Sequence, residues 1–216
     1  MRPDFEKLPF FKRPDLTPYL IHLTKNTKAD DDKSAFEHLV SILQDGEVRG
    51  SSTKKGFVKG PHRASCFMDL PFYSLKYVLN EENSNPAAPR YEAFGVFVTK
   101  KHAYTEGCRP VLYMSDKELR QLGIPKDELW RVVRFEASDE GWISWLHERE
   151  WRCKGDYTLP TNAGVLVKNW KYVERLNKLL RDKPKKFEVH PRAIIPLTIL
   201  CQGLPHLPRS EKKRKK

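Results

Sequence analysis

Apolar residues in this chain fall into short runs set apart by charged and turn-forming stretches. Tyr19-Leu20-Ile21-His22-Leu23-Thr24 predicts a strand, with His22 and Thr24 on one face and Ile21 and Leu23 on the other. Ser34 followed by Glu37 has the spacing of a capping box, and Phe36, Leu39, Val40 and Leu43 recur at helical intervals before Gly46. Strands are predicted over 64–68, 93–99, 110–114 and 164–167. Pro71 is placed to open a helix through Leu75, Tyr77 and Leu79, and Ser115 to cap a helix over Asp116 to Leu122. Residues 129–135 fit a strand or a short helix equally. Trp142 to Leu146 reads as helical, and 148–152 as a strand. Trp170, Val173, Leu176, Leu179 and Leu180 form the apolar face of a further helix. Residues 192–200 read as a last strand that Pro196 confines to an edge.

Strands and helices mix without a regular βαβ rhythm, so the expected class is α+β. The expected organisation is an irregular lead-in over 1–18, one domain over 19–205 and a basic tail over 206–216. No internal repeat is present, and neither common Gly-rich phosphate loop occurs.

Length and composition narrow the picture further. At 216 residues with 24 aromatics (11 Phe, 5 Trp, 8 Tyr), the chain has the material for a packed core. No apolar run reaches the length of a membrane-spanning helix, and the first residues lack the apolar stretch of a secretory signal. The four cysteines, Cys66, Cys108, Cys153 and Cys201, lie far apart with no Cys-x-x-Cys. They read as thiols in a reducing, cytoplasmic setting, with no metal site.

The net charge of +12 changes the functional picture. Such a balance attracts polyanions through counterion release, which points to RNA or DNA as a partner. Lys54, Lys55, Lys59 and Arg63, in a Gly- and Ser-rich loop, are the expected phosphate contacts. The run Arg209 to Lys216 would add a basic arm or serve as an import signal.

Candidate chemistry gathers in three places. His22 and Thr24 form a polar pair on an otherwise apolar strand. Cys66-Phe67-Met68-Asp69-Leu70-Pro71-Phe72-Tyr73 is a strand-to-helix turn whose aromatics could stack on a flat ligand. Glu148-Arg149-Glu150-Trp151-Arg152, read as a strand, places Glu148, Glu150 and Arg152 on one face. Adjacent carboxylates repel, which should raise one pKa, with Arg152 offsetting part of the effect. Such a pair suits metal binding, glycoside chemistry or stabilisation of an oxocarbenium-like sugar centre. His147 is a secondary candidate.

The order of these segments resembles the AbiGi-type abortive phage-resistance family, distant members of the ADP-ribosyltransferase fold. The resemblance runs over about residues 19–155. It rests on the His22 strand and on Leu39-Val40-Ser41-Ile42-Leu43-Gln44-Asp45-Gly46. It continues through Cys66-Phe67-Met68-Asp69-Leu70-Pro71, Gly95-Val96-Phe97-Val98 and Gly107-Cys108-Arg109-Pro110-Val111-Leu112-Tyr113, and ends in Glu148-Arg149-Glu150-Trp151-Arg152. It implies a split mixed and antiparallel sheet core with flanking helices, NAD as substrate and no metal. It implies that His22, with Thr24 beside it, holds a ribose or the nicotinamide of NAD. Tyr73 would stack on nicotinamide, with Phe67 and Phe72 as rivals. Glu150 would stabilise the ribosyl cation and Glu148 would orient the nucleophile, although the two roles could be exchanged.

The reading is therefore a toxin or phage-defence ADP-ribosyltransferase that modifies nucleic acid, with a cognate antitoxin as a further partner and no membrane role. The alternatives are a non-catalytic nucleic-acid-binding or antitoxin-like module on the same fold, and a metal-dependent nuclease using Glu148, Glu150 and Asp69 or Asp156.

Overall fold

The computed structural model describes residues 13–27, 33–51, 53, 58–80, 83, 90–139 and 141–201. In chain order the first elements are β1 (Tyr19–Leu23), α1 (Ala35–Asp45), β2 (Glu47–Val48) and β3 (Ala64–Phe67). A 3-10 helix (Phe72–Tyr77) leads to β4 (Gly95–Thr99), α2 (Lys100–Thr105), β5 (Arg109–Pro110), β6 (Leu112–Met114) and α3 (Asp116–Leu122). A second 3-10 helix (Lys126–Arg131) precedes β7 (Val132–Arg134), β8 (Glu136–Ser138) and β9 (Gly141–Ile143). A third (Leu146–Glu148) precedes β10 (Trp151–Lys154), β11 (Tyr157–Thr158), β12 (Gly164–Val167) and α4 (Trp170–Asp182). A fourth (Pro184–Lys186) is followed by β13 (Ile194–Pro196) and α5 (Leu197–Leu200). Parallel and antiparallel pairings mix with separate helices, which is the α+β class expected.

The described residues divide into two compact units. One is drawn from Met1–Ile21, Glu47–Leu70 and Val98–Thr158, the other from His22–Gly46, Pro71–Phe97 and Leu159–Lys216.

The first unit carries the sheet β3-β10-β5, with β10 central and antiparallel to both neighbours. Trp151 faces Phe67 and Pro110 across the ladder, and Arg152 faces Cys66 and Arg109. Pro110 has no N–H to donate, and the two-residue strand β5 is an edge that tolerates it. Small pairs complete the unit: β11 with β2, β6 with β7 in parallel, and β8 with β9. Beneath the central sheet, Phe67 meets Tyr157 edge-on at 4.9 Å, and the Tyr157 hydroxyl lies 2.7 Å from Nδ1 of His102. Burying a side chain the size of Phe67 contributes about 1.5–3 kcal/mol.

The four-stranded sheet has the order β1-β4-β12-β13, with β12 antiparallel to β4 and parallel to β13; β12, β13 and Gly95–Phe97 of β4 belong to the second unit. Gly95 lies where a Cβ would come within 2.2 Å of the His22 carbonyl oxygen, so only glycine lets the backbones approach. α1 starts at the expected capping box of Ser34 and Glu37 and stops at Gly46, which takes the left-handed conformation at φ 70°. Phe36, Phe94 and Tyr172 interlock at 4.7–5.7 Å. β13 lies at the sheet edge, as Pro196 predicted.

Four sequence expectations are corrected. Residues 142–146 are not helical: Trp142 and Ile143 end β9, and the 3-10 helix starts only at Leu146. The strand expected over 148–152 starts at Trp151, because Glu148 closes that 3-10 helix and Arg149 is left-handed at φ 48°. The run 110–114 is split at Val111 between β5 and β6, which belong to different sheets. The last strand ends at Pro196, and Leu197–Leu200 coil into α5. The ambiguous stretch 129–135 holds both forms, a 3-10 helix followed by β7.

Candidate active site

The richest cluster of buried polar groups in the first unit lies at the entry to β10. Glu148 and Glu150 are only 6% and 8% exposed, and Arg152 4%. Arg149, left-handed at φ 48°, puts a bend between the two glutamates in place of strand alternation. A non-glycine residue in that conformation costs of order 1 kcal/mol and needs outside support. Arg149 has it: its guanidinium donates to the Asp15 backbone carbonyl and lies 3.3 Å from the Asp15 carboxylate. The guanidinium of Arg13 beside Asp15 is the main cause holding that carboxyl below its ordinary range.

Glu150 is fixed from several directions. Nε and Nη2 of Arg152 donate to its two carboxylate oxygens at 2.8 and 3.2 Å. Nη1 of Arg152 donates to the carbonyls of Trp130 and Val132 at 3.0 and 3.3 Å, so the guanidinium is anchored on β7 and the turn before it. Burial works against the Arg152 cation, but the Glu150 carboxylate outweighs it and raises the arginine pKa. A bidentate pair of this kind holds a carboxylate in one orientation. The Glu150 backbone N–H donates to the Tyr113 hydroxyl at 2.9 Å, and its carbonyl accepts from Val111 at 3.1 Å. The Tyr113 hydroxyl donates to the Trp145 carbonyl at 3.3 Å. Burial pushes the Tyr113 hydroxyl up to about 12. The Cys66 thiol is within reach of Glu150 and Arg152; loss of solvent raises its pKa, and the Glu150 charge adds to the effect.

Glu148 is held by its backbone, whose carbonyl accepts from Asp69 N–H at 3.2 Å. Its carboxylate lies 3.9 Å from Nε2 of His147. Asp69 binds Lys100 Nζ at 2.7 Å and accepts from the Trp151 indole at 3.3 Å. Among the described residues no group of three or more His, Cys, Asp or Glu side chains is arranged to hold a metal ion. No helix among them is long and apolar enough to cross a membrane.

The other expected residues are distributed as follows. Phe67 is 1% exposed and packs against Tyr157, so its ring is an interior strut of the first unit. In the second unit, the buried Thr24 hydroxyl lies 2.8 Å from the Ala35 carbonyl and 3.2 Å from that of Phe94, a tie between β1, α1 and β4. His22 is half-buried on β1. Phe72 packs edge-on against Phe97 at 4.9 Å, whereas Tyr73 is 51% exposed, which leaves Tyr73 the more accessible ring of the two. Lys59 is ion-paired with Asp116, and the Arg63 guanidinium donates to the Gly50 carbonyl at 2.8 and 2.9 Å. Lys54 and Lys55 lie outside the described residues.

Two participants escaped the sequence reading. Tyr113 sits 37 positions from Glu150 in a segment that reads as a strand, and Cys66 opens the candidate strand-to-helix turn with no role of its own. Only the pairing of β10 with β3, and of Val111 with Glu150, brings them to the carboxylate.

No protein-family model matches the chain, and no curated protein matches its sequence. Among solved structures it is similar to DarT of Thermus sp. 2.9 in complex with NAD+. That match has 13% identity and a TM-score of 0.44, and covers 83% of this chain and 96% of the other. The same protein in complex with carba-NAD+ gives 14% identity, the same coverage and a TM-score of 0.43.

Proposed function

We propose that the chain is an ADP-ribosyltransferase that takes NAD as substrate and nucleic acid as acceptor. The observation that carries the reading is the Glu150 carboxylate, buried and clamped by Arg152, with Glu148 buried two positions before it. The motif order that resembles the ADP-ribosyltransferase fold gives those residues their roles, and the +12 charge gives the acceptor its class.

In this chemistry the bond between C1′ of the ribose and the nicotinamide nitrogen breaks. Nicotinamide leaves with the bonding electron pair, and the ribose is left cationic. A carboxylate fixed in a water-poor site stabilises such a charge without reorganising. Glu150 suits that requirement because Arg152 holds both oxygens of its carboxylate and Tyr113 holds its backbone N–H. An oxygen or nitrogen of the acceptor then attacks C1′ and gives up its proton, for which Glu148 is the base. The resemblance assigns Tyr73 to the leaving ring and His22 to a ribose. A toxin or phage-defence role, with a neutralising partner, follows from the family resemblance.

The test is incubation with NAD labelled in the adenylate moiety, offering RNA, DNA and protein separately, alongside Glu150→Gln. Label should appear on a nucleic-acid pool and disappear in the variant. Label on protein alone would overturn the acceptor. Intact NAD with every pool would favour a non-catalytic nucleic-acid-binding module, in which Glu150 and Arg152 are a structural strut.

A further inference from the structure

Residues 171–186 carry seven cations against two acids, a net +5 in sixteen residues. They form α4 and the 3-10 turn Pro184–Lys186 in the second unit. Helical geometry sets Lys171, Arg175 and Lys178 on the face opposite Val173 and Leu176, which are buried. Lys171, Lys178, Arg181, Lys183, Lys185 and Lys186 are all exposed. Among the described residues none of these six side chains makes a hydrogen bond or ion pair. Glu174, one of the two acids, accepts from the Trp170 indole at 3.2 Å, and Arg175 lies over the Phe36 ring at 4.5 Å. The two described loop cations expected to meet phosphate differ: Lys59 is matched by Asp116, and Arg63 by Gly50.

We propose that the outer face of α4 and the turn after it form the surface that binds the nucleic-acid backbone. This rests on the nucleic-acid reading of the acceptor. α4 is about 20 Å long at 1.5 Å per residue, so its stripe spans several phosphates of one strand. Unpaired lysines suit that partner, because each phosphate contact releases a condensed counterion and no protein partner must first be displaced. Val173 and Leu176 face the core, and Trp170, 60% exposed, is the one large apolar ring that α4 leaves open, too little for insertion into a bilayer. Binding here carries no sequence readout; it recruits the acceptor.

The test is fluorescence anisotropy with the full chain, using a labelled duplex and a labelled single strand of about twenty nucleotides over a salt series. The variant replaces Lys171, Lys178, Lys183, Lys185 and Lys186 by Gln. A charge-matched control replaces Lys25, Lys101, Lys117, Lys126 and Lys154, all exposed. The stripe variant should lose at least about tenfold in affinity at 0.1 M salt. Its log–log salt slope should fall by about three to five, at roughly 0.7–0.9 per contact. The control should stay within about threefold. Equal losses in both variants would mean that net charge alone acts, and would overturn the assignment. So would an unchanged stripe variant, or binding to vesicles of anionic phospholipid without binding to either oligonucleotide. The readout needs no NAD: loss of transfer in the labelling assay with stripe-dependent binding intact removes the transferase reading and leaves this one standing.

Discussion

Replacing Arg152 by Met probes the joint on which the candidate site depends. Arg152 is 4% exposed, and its hydrogen bonds include two to the Glu150 carboxylate and one each to the carbonyls of Trp130 and Val132. Met fills much of the same space but donates nothing, so a buried carboxylate and two carbonyls lose their partner. Removing one member of a buried ion pair costs about 3–5 kcal/mol, because the remaining charge is left uncompensated. In a protein of this size each kcal/mol moves the midpoint by about 2–4 °C, which gives a fall of roughly 6–20 °C. The assay is thermal unfolding followed by circular dichroism and by tryptophan fluorescence, to which Trp130 and Trp151 beside the joint contribute. The double variant Arg152→Met with Glu150→Leu removes both charges and should recover most of the loss, since well-packed apolar pairs replace buried ion pairs at little cost. A single-variant shift below about 2 °C, or a double variant no better than the single, would refute the argument that this pair is buried and mutually dependent.

Two further outcomes follow from the electrostatics. Asp15, Asp116, Glu118 and Asp127 are all held below their ordinary values, chiefly by hydrogen bonds from Arg13, Lys59, Ser115 and His62 respectively. Their contribution to stability is complete above the ordinary values of 3.8 and 4.5 and is lost as pH falls through the lower folded-state values. Urea midpoints should therefore drop between pH 5 and about pH 3, and Asp116→Asn should show a smaller drop; an equal drop would remove Asp116 from the account. Tyr113→Phe should lower stability by about 1–3 kcal/mol, as the Glu150 N–H loses a buried acceptor. Because the Tyr113 hydroxyl is pushed up to about 12, its share of stability is intact below pH 10 and fades as pH rises towards 12. Absorbance at 295 nm should show one late-titrating tyrosine fewer in the variant.

Local signals carried α1 and α3, whose capping boxes and left-handed terminal glycines stand in the sequence as spacings of three residues and single positions. The apolar period of α4 was equally plain. Around the site the sequence was less informative, and the reason is tertiary. The bend at Arg149 is held by Asp15, 134 positions away, and no local rule places a left-handed conformation on an arginine. Trp142 read as a helical residue because aromatic spacing suits several elements. It is 74% exposed on a two-stranded hairpin and meets Phe135 at 6.0 Å. The Glu150 and Arg152 pairing was legible as opposite charges two residues apart, but the anchoring of Arg152 was not. The same Arg152 that reads as a charge two residues along a strand turns out to be anchored to Trp130 and Val132.

The central claim is that Glu150 opposes the positive charge formed as nicotinamide leaves. Its most direct test is single-turnover release of nicotinamide from labelled NAD by the native chain and by Glu150→Gln. NAD affinity is measured beside it by calorimetry, and folding by circular dichroism. The account predicts a rate lowered by about 10²–10³-fold, with NAD affinity within about threefold and the fold retained. Equal rates in the two folded proteins, or no nicotinamide released by either, would contradict it.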